Sequence, residues 1–275
     1  MTTAMTELWE QVDAIIRGGG FVDRSADRKV AVRGPDARAW LGDLVTADVA
    51  TLEPGGSRRS LLLTPTGRIR ADLQIACCDD SSFLVLQAPD QPEPVVDLLS
   101  PYVLSSQVVL EDVSALRALL LTERNAIVTT SHLELLPLER ELLDQGYVLI
   151  DEPAQEAWRV GRGDARMGVD FAAGGLPAEA GLEHTIDFAK GCFLGQESVA
   201  KVRNLGHPPT VLRRCWMEFD TRVGSSVDAA GHEVGSITSV APRRGDGFAL
   251  IARVTWDAAD QDLTTGGAPL FPVDD

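Results

Sequence analysis

The sequence predicts an α+β protein that ends in a separate all-β domain. From the start of the chain to about residue 206, short strand-like runs alternate with amphipathic helical stretches. Such alternation indicates small layers of helices packed on sheets rather than a helical bundle. After Gly206 the helical periodicity stops, and apolar runs separated by glycine-rich turns follow. That pattern is typical of a small all-β domain.

The first third of the chain is predicted to form helices around a hairpin. The N-terminal helix would end at the glycines 18–20, and its apolar face would consist of Leu8, Val12, Ile15 and Ile16. A second helix has Pro35 in its first turn, and its core-facing residues would be Ala37, Trp40, Leu41 and Leu44. A Pro-Thr-Gly turn at 65–67 joins two predicted strands at 59–63 and 69–77.

The remaining elements follow from the same patterns. Further strands are predicted at 29–33, 82–87, 107–112, 116–122, 146–150, 211–219, 233–240, 248–256 and 270–273. Further helices are predicted just before residue 100 and at 133–144, 155–162 and 196–204. Residues 163–189 are rich in Gly, Ala and Asp and are interpreted as a long ordered loop. The elements divide into three domains, at 1–115, 116–206 and 207–275.

Composition excludes several classes of function. The formal net charge is -16 and the pI about 4.6, so nucleic acid and anionic membranes would repel the chain. No apolar stretch approaches the ~20 residues of a membrane helix, and no secretion signal is visible. The four cysteines have no CxxC spacing, which indicates neither a disulfide framework nor a zinc site. We therefore expect a cytoplasmic protein with reduced thiols and no metal.

The segment with the clearest chemistry is Lys-Gly-Cys-Phe-Leu-Gly-Gln-Glu at 190–197. Gly191 and Gly195 would permit backbone conformations that a Cβ forbids. Cys192 lies beside Lys190 and just before a predicted helix, and both features favour a thiolate. The alternative is that Cys192 is simply buried, since free cysteine is among the most buried residue types. Gln196 and Glu197 fall in the first turn of that helix.

These residues resemble the signature of YgfZ-type proteins, homologues of the glycine cleavage T-protein, an aminomethyltransferase. Similar stretches surround it, from Ser198 to Gly206 and, near the start of the chain, at 32–37, 46–49 and 64–73. The resemblance implies a T-protein-like fold: small α/β layered N-terminal and middle domains around a central cavity, followed by a Greek-key β-barrel. The cavity would bind a folate derivative, with tetrahydrofolate as cofactor. The implied partners are iron–sulfur proteins or their assembly machinery.

The resemblance also assigns roles to residues. Cys192 would supply a functional thiol, assisted by Lys190 and by Asp72 on a predicted strand. The cofactor would contact residues of the signature and of the helix behind it, namely Gly191, Phe193, Gly195, Gln196, Glu197, Lys201 and Arg203. Two positions depart from the T-protein pattern: its paired aspartates are reduced to Asp72 after Ala71, and Gly161 replaces a pterin-binding acidic residue. A glycine offers no carboxylate to the pterin, which disfavours aminomethyl transfer.

Three functions therefore stay open from the sequence. The first is a folate-binding protein that assists iron–sulfur cluster assembly or repair, the second a tetrahydrofolate-dependent one-carbon transferase, and the third a scaffold that has lost folate. Among other candidates, Asp72 is equally compatible with a solvated edge-strand residue. Trp40 is interpreted as core, and Glu179 and His184 as loop residues. Arg213 could receive an anionic folate tail.

Overall fold

The computed structural model describes residues 3–104, 106–122 and 126–273. The chain forms two compact units. Unit 1 comprises Met1–Asp151 and Thr185–Gln196, and unit 2 comprises Glu152–His184 and Glu197–Asp275. The three-domain division predicted from the sequence is finer than this one and stays a prediction.

In the described part of unit 1, two sheets and four α-helices are present. Its helices are α1 (Thr3–Arg17), α2 (Ala37–Leu44), α3 (Val95–Leu99) and α4 (Leu135–Asp144). Its strands are β1 (Gly20–Asp23), β2 (Arg28–Arg33), β3 (Ser57–Leu63), β4 (Ile69–Asp79), β5 (Ser82–Gln87), β6 (Val109–Asp112), β7 (Arg117–Leu121), β8 (Ala126–Thr130) and β9 (Val148–Leu149).

The larger sheet of unit 1 is antiparallel, in the order β3-β4-β5-β2-β6. One face of this sheet packs on α2, and the four α2 residues predicted to face a core are all buried. Along β4, alternate residues such as Ala71 and Leu73 enter this core, whereas Asp72 faces the other way, because successive strand residues point to opposite faces. Cys77 and Cys78 at the end of β4 point to opposite faces in the same way, since Cys77 is buried and Cys78 is exposed.

The smaller sheet has the order β8-β7-β1-β9. Phe21 on β1 and Leu119 on β7 form a core with α4. Strands β1 and β8 were not predicted, and the N-terminal helix ends at Arg17, so Gly20 already belongs to β1. Ile16 was predicted to face the core, but it is 58% exposed. The buried residues of this helix are Val12 and Ala14.

Unit 2 contains the barrel and two helices. Its helices are α5 (Glu152–Arg162) and α6 (Gln196–Leu205), and α6 begins at the last residue of unit 1. Its strands are β10 (Thr210–Met217), β11 (Ser226–Ala229), β12 (His232–Pro242), β13 (Phe248–Thr255), β14 (Leu263–Thr265) and β15 (Ala268–Pro272).

The six strands of unit 2 close into an antiparallel barrel in the order β10-β13-β12-β11-β14-β15. Strand β14 lies beside β11, the first strand of the β11-β12-β13 meander, which is Greek-key topology and confirms the predicted barrel. The short strands β11 and β14 were missed. Residues 163–189 form the expected loop, with a single 3-10 turn at Glu183–Thr185 among its described residues. Among the helices described, none is both long and apolar enough to span a membrane.

Candidate functional site

The signature segment of unit 1 is anchored by the side chain of Lys190. Its Nζ donates hydrogen bonds to the carbonyl oxygens of Val45 (2.6 Å) and Ala47 (2.8 Å), and it lies 5.2 Å from the centre of the Phe193 ring. Burial lowers the pKa of Lys190 to about 8, although the carboxylate of Asp48 acts in the opposite direction. The ammonium group is thus engaged with main-chain acceptors rather than free beside the thiol.

Backbone hydrogen bonds hold the same segment along residues 43–47. The amide of Leu194 donates to the carbonyl of Asp43 (2.9 Å), and the amide of Asp187 donates to the carbonyl of Thr46 (3.0 Å). The hydroxyl of Thr46 in turn donates to the carbonyl of Thr185 (3.0 Å). Together with Lys190, these contacts fix the segment to the last turn of α2 and to the residues that follow it.

The two glycines of the signature have different roles. Gly195 has φ +83°, and a Cβ there would lie 2.5 Å from the carbonyl oxygen of Thr64. Only glycine combines that conformation with that close approach. Gly191 has no positive φ, and a Cβ there would meet open space. The prediction that both glycines are needed for their lack of a Cβ is therefore confirmed for Gly195 and wrong for Gly191.

Cys192 is exposed, so the alternative that it is a buried core residue is wrong. The neighbouring Phe193 is the buried member of the pair, at 6% exposure. The signature segment, which we call the bend below, therefore turns the aromatic ring of Phe193 inward and the sulfur of Cys192 outward. Since a thiol must reach its target to react, this arrangement satisfies the first requirement of the predicted role.

The helix behind the signature begins as predicted. The amide of Gln196 donates to the carbonyl of Phe193 (3.1 Å), and Glu197 lies in the first turn of α6. Glu197, Lys201 and Arg203 are exposed and belong to unit 2, whereas Cys192 belongs to unit 1. Whether these polar residues contact the same ligand as the bend stays a prediction.

Asp72 is paired with an arginine. Arg59 donates two hydrogen bonds to the Asp72 carboxylate, from Nε (2.9 Å) and from a terminal nitrogen (2.6 Å), and the carboxylate side chain is only 13% exposed. Strand β4 lies between β3 and β5, so the alternative of a solvated edge-strand aspartate is wrong. Gln91 also brackets Asp72, with its amide group bonded to both the main-chain N–H and the C=O.

Asp170 in unit 2 was missed by the sequence reasoning. Its carboxylate is fully buried and accepts hydrogen bonds from Arg159 (2.5 Å), the amide of Arg166 (2.9 Å), Thr238 (2.6 Å) and Ser239 (2.7 Å). Burial alone would lower the pKa of Arg159, but Glu156 and Asp170 outweigh it and raise that pKa. The only sequence signal was an aspartate inside an apolar stretch, Met-Gly-Val-Asp-Phe.

The other candidates have local roles. Trp40 is core, as predicted, and its indole N–H donates to the carbonyl of Tyr102 (2.9 Å). Glu179 accepts a hydrogen bond from the amide of Leu176 (2.7 Å) and so closes its own loop. Arg213 pairs with the exposed Asp260 (3.0 Å). At Gly161, on α5, an added Cβ would meet open space. Packing therefore does not require a glycine at this position.

Comparisons with known proteins agree with this architecture. Residues 3–122 match the family model described as the GCVT N-terminal domain. A crystal structure of the glycine cleavage system aminomethyltransferase T from Bartonella henselae superposes with a TM-score of 0.77 over 96% of this chain and 88% of that one, at 18% identity.

Two curated relatives are more similar in sequence. A chloroplast protein of Arabidopsis thaliana named "Putative transferase" is 24% identical over an alignment of 277 positions that covers 84% of this chain. This chain spans only 63% of that relative's length. An uncharacterized protein of Haemophilus influenzae is 24% identical over 236 residues, 80% of this chain and 83% of the relative. The chain therefore has the fold of this aminomethyltransferase T, and its residues 3–122 match the GCVT N-terminal domain.

Proposed function

We propose that this chain binds a reduced folate and presents the thiol of Cys192 in the upkeep of iron–sulfur proteins, as YgfZ-type proteins do. The single observation that carries the proposal is the exposed Cys192 on a bend whose two ends are hydrogen-bonded to residues 43–47. A thiol held in a fixed position loses little conformational freedom when it engages a partner. The T-protein-like fold supports folate as the ligand class.

The residues fit a folate in part. Lys201 and Arg203 are exposed cations that can pair with the carboxylates of a folate tail. The N–H groups of the pterin ring need hydrogen-bond acceptors, and Gly161 has no side-chain carboxylate to supply one. Asp72 is an acceptor, but Arg59 already occupies it. Tight pterin binding would therefore rely on other acceptors, and we expect weaker affinity than a site with both carboxylates.

Complementation tests the thiol. In a strain that lacks its own YgfZ-type gene and has weakened iron–sulfur enzymes, the wild-type chain and Cys78→Ala should restore enzyme activity, and Cys192→Ala should not. Cys78 is the matched control because it is also an exposed free cysteine of unit 1. Full rescue by Cys192→Ala would remove the thiol from the proposal.

Calorimetric titration and thermal unfolding with tetrahydrofolate test the ligand. A ligand that binds the native state alone stabilises it by about 2.7 kcal/mol at a hundredfold excess over Kd, so a clear rise in Tm should accompany the binding heat. Absence of both at millimolar folate would leave the scaffold function in its place.

The second candidate is a tetrahydrofolate-dependent one-carbon transferase, favoured by the T-protein-like fold and by the retained Asp72. The bidentate bond from Arg59 speaks against it, because both oxygens of the Asp72 carboxylate already accept hydrogen bonds and are not free to orient a substrate amine. Formation of methylene-tetrahydrofolate from an aminomethyl donor by the wild-type chain would place this candidate first. Gly161→Glu, whose Cβ would meet no neighbouring atom, should bind tetrahydrofolate more tightly because it supplies the missing carboxylate.

A further inference from the structure

Helix α4 has two apolar faces, although a helix at the edge of a domain needs only one. The inner face packs on the smaller sheet, where Leu135, Leu138 and Leu142 contact the core around Phe21 and Leu119. The outer face carries Leu136, which is 72% exposed, and Leu143, which is 51% exposed. Leu133, two residues before the helix, is 87% exposed.

The outer leucines form one stripe with two charged residues. Leu136, Glu139, Arg140 and Leu143 occupy positions i, i+3, i+4 and i+7, so they lie along one side of the helix. Leu136 and Arg140 also line a shallow groove of about 560 Å³. Within the described part of the chain, neither Glu139 nor Arg140 has an ion-pair partner. The stripe therefore combines exposed apolar surface with an exposed cation, Arg140, and a half-buried anion, Glu139.

The order of these residues is self-complementary. If two copies of α4 pack antiparallel across a two-fold axis between positions 139 and 140, Leu136 faces the partner's Leu143 and Glu139 faces the partner's Arg140. The symmetry repeats each contact. Two leucine pairs and two opposite-charge pairs result from a single register.

We propose that the outer stripe of α4 is a docking surface for a second copy of this chain. A basic helix of another protein is the main rival, given the net charge of -16. Such a partner would satisfy Glu139 but would oppose Arg140, whereas a second copy satisfies both. The self-complementary order of charges thus favours the homodimer.

The dimer is expected to be weak and strengthened by salt. A ten-residue helix is about 15 Å long, which is shorter than the span of a standard interface of about 800 Å² per partner. The two acidic chains also repel each other over a Debye length of about 8 Å at physiological salt. Salt screens this long-range repulsion between the chains more than it weakens the two pairs of Glu139 and Arg140, whose charges are in direct contact.

Analytical ultracentrifugation of the full chain tests the proposal. As concentration rises, the weight-average mass should increase from 29.5 kDa towards twice that value, and more readily at high salt. Leu136→Ser/Leu143→Ser should raise the dissociation constant at least about tenfold, whereas Val109→Ser, at a 66% exposed valine elsewhere in unit 1, should leave it unchanged. Circular dichroism checks that each variant is folded.

Charge reversal distinguishes the second copy from the rival. Glu139→Arg alone and Arg140→Glu alone should each weaken the dimer, because each places like charges across the axis. Glu139→Arg/Arg140→Glu should restore it, since opposite charges face each other again. A wild-type chain that stays monomeric at every concentration and salt, or a double variant no better than the single ones, would overturn the proposal.

Discussion

Removing the carboxylate of Asp170 should destabilise unit 2 more than the loss of any exposed charge. The side chain is 0% exposed and receives four hydrogen bonds, one of them from the guanidinium of Arg159 at 2.5 Å. Asp170→Ala leaves Arg159, whose side chain is 14% exposed, without one of its two carboxylates. It also leaves the hydroxyl of Ser239 without this acceptor.

The expected loss is about 3 kcal/mol. Breaking a buried ion pair by removing one partner costs about 3–5 kcal/mol. The lower end applies because Arg159 keeps Glu156 at 2.5 Å and Thr238 can still donate to the carbonyl of Ile251 at 3.1 Å. With an m-value of about 2 kcal/mol per molar urea, the unfolding midpoint of unit 2 should fall by about 1.5 M.

Urea unfolding followed by tryptophan fluorescence measures this change, since Trp158, Trp216 and Trp256 all lie in unit 2. Asp260→Ala is the matched control, because that carboxylate is 93% exposed and pairs with Arg213 at the surface, where an ion pair contributes little. Asp170→Ala/Arg159→Met should recover part of the loss by removing the stranded cation. Equal midpoints for Asp170→Ala and Asp260→Ala would refute the assignment of a structural role to the buried pair.

Two further predictions concern the signature bend. Gly195→Ala should destabilise unit 1 by more than the roughly 1–3 kcal/mol of its backbone strain, because its Cβ would also meet the carbonyl of Thr64. Gly191→Ala is the control and should be tolerated in the same unfolding assay, because its Cβ would meet open space. Similar losses of stability for the two variants would contradict this geometry. Because the pKa of folded Lys190 is lowered from 10.5 to about 8, the unfolded chain binds more protons between these values, and the stability contributed by Lys190 should rise with pH over that window. The free energy of unfolding of the wild type relative to that of Lys190→Met should therefore increase from pH 8 to pH 10.5. Lys201→Met is the exposed control and should show no such trend. A decrease in the relative stability of the wild type over this window would count against the buried ammonium.

Periodicity located most of the fold because it reflects which side of an element meets the core. Strand 82–87 was predicted with its observed bounds, and the buried face of α2 was correct residue by residue. Strand β14 is three residues long and β1 four, too short for alternation to stand out from a turn. These strands exist because a barrel or a sheet supplies hydrogen-bonding neighbours, which depends on tertiary structure.

The sequence identified residues of the candidate site but not the contacts that hold them. The sequence marked Cys192 and Gly195 because their residue types have few alternatives in such a bend. It placed the ammonium of Lys190 beside the thiol because the two residues are close in sequence. The observed acceptors, Val45 and Ala47, lie more than 140 positions away. Contacts across such separations are set by the packing of the chain, so a motif alone cannot reveal them.

In this T-protein-like fold the contacts of Asp72 are separate from the contacts that hold the signature segment. Both oxygens of the Asp72 carboxylate accept hydrogen bonds from Arg59, so this carboxylate is one half of an ion pair. By contrast, Gly195 and Lys190, which shape and hold the bend, make contacts that a substitution would break. The structural frame around Cys192 is thus maintained by contacts that do not depend on Asp72. The thiol function proposed for Cys192 therefore does not require Asp72.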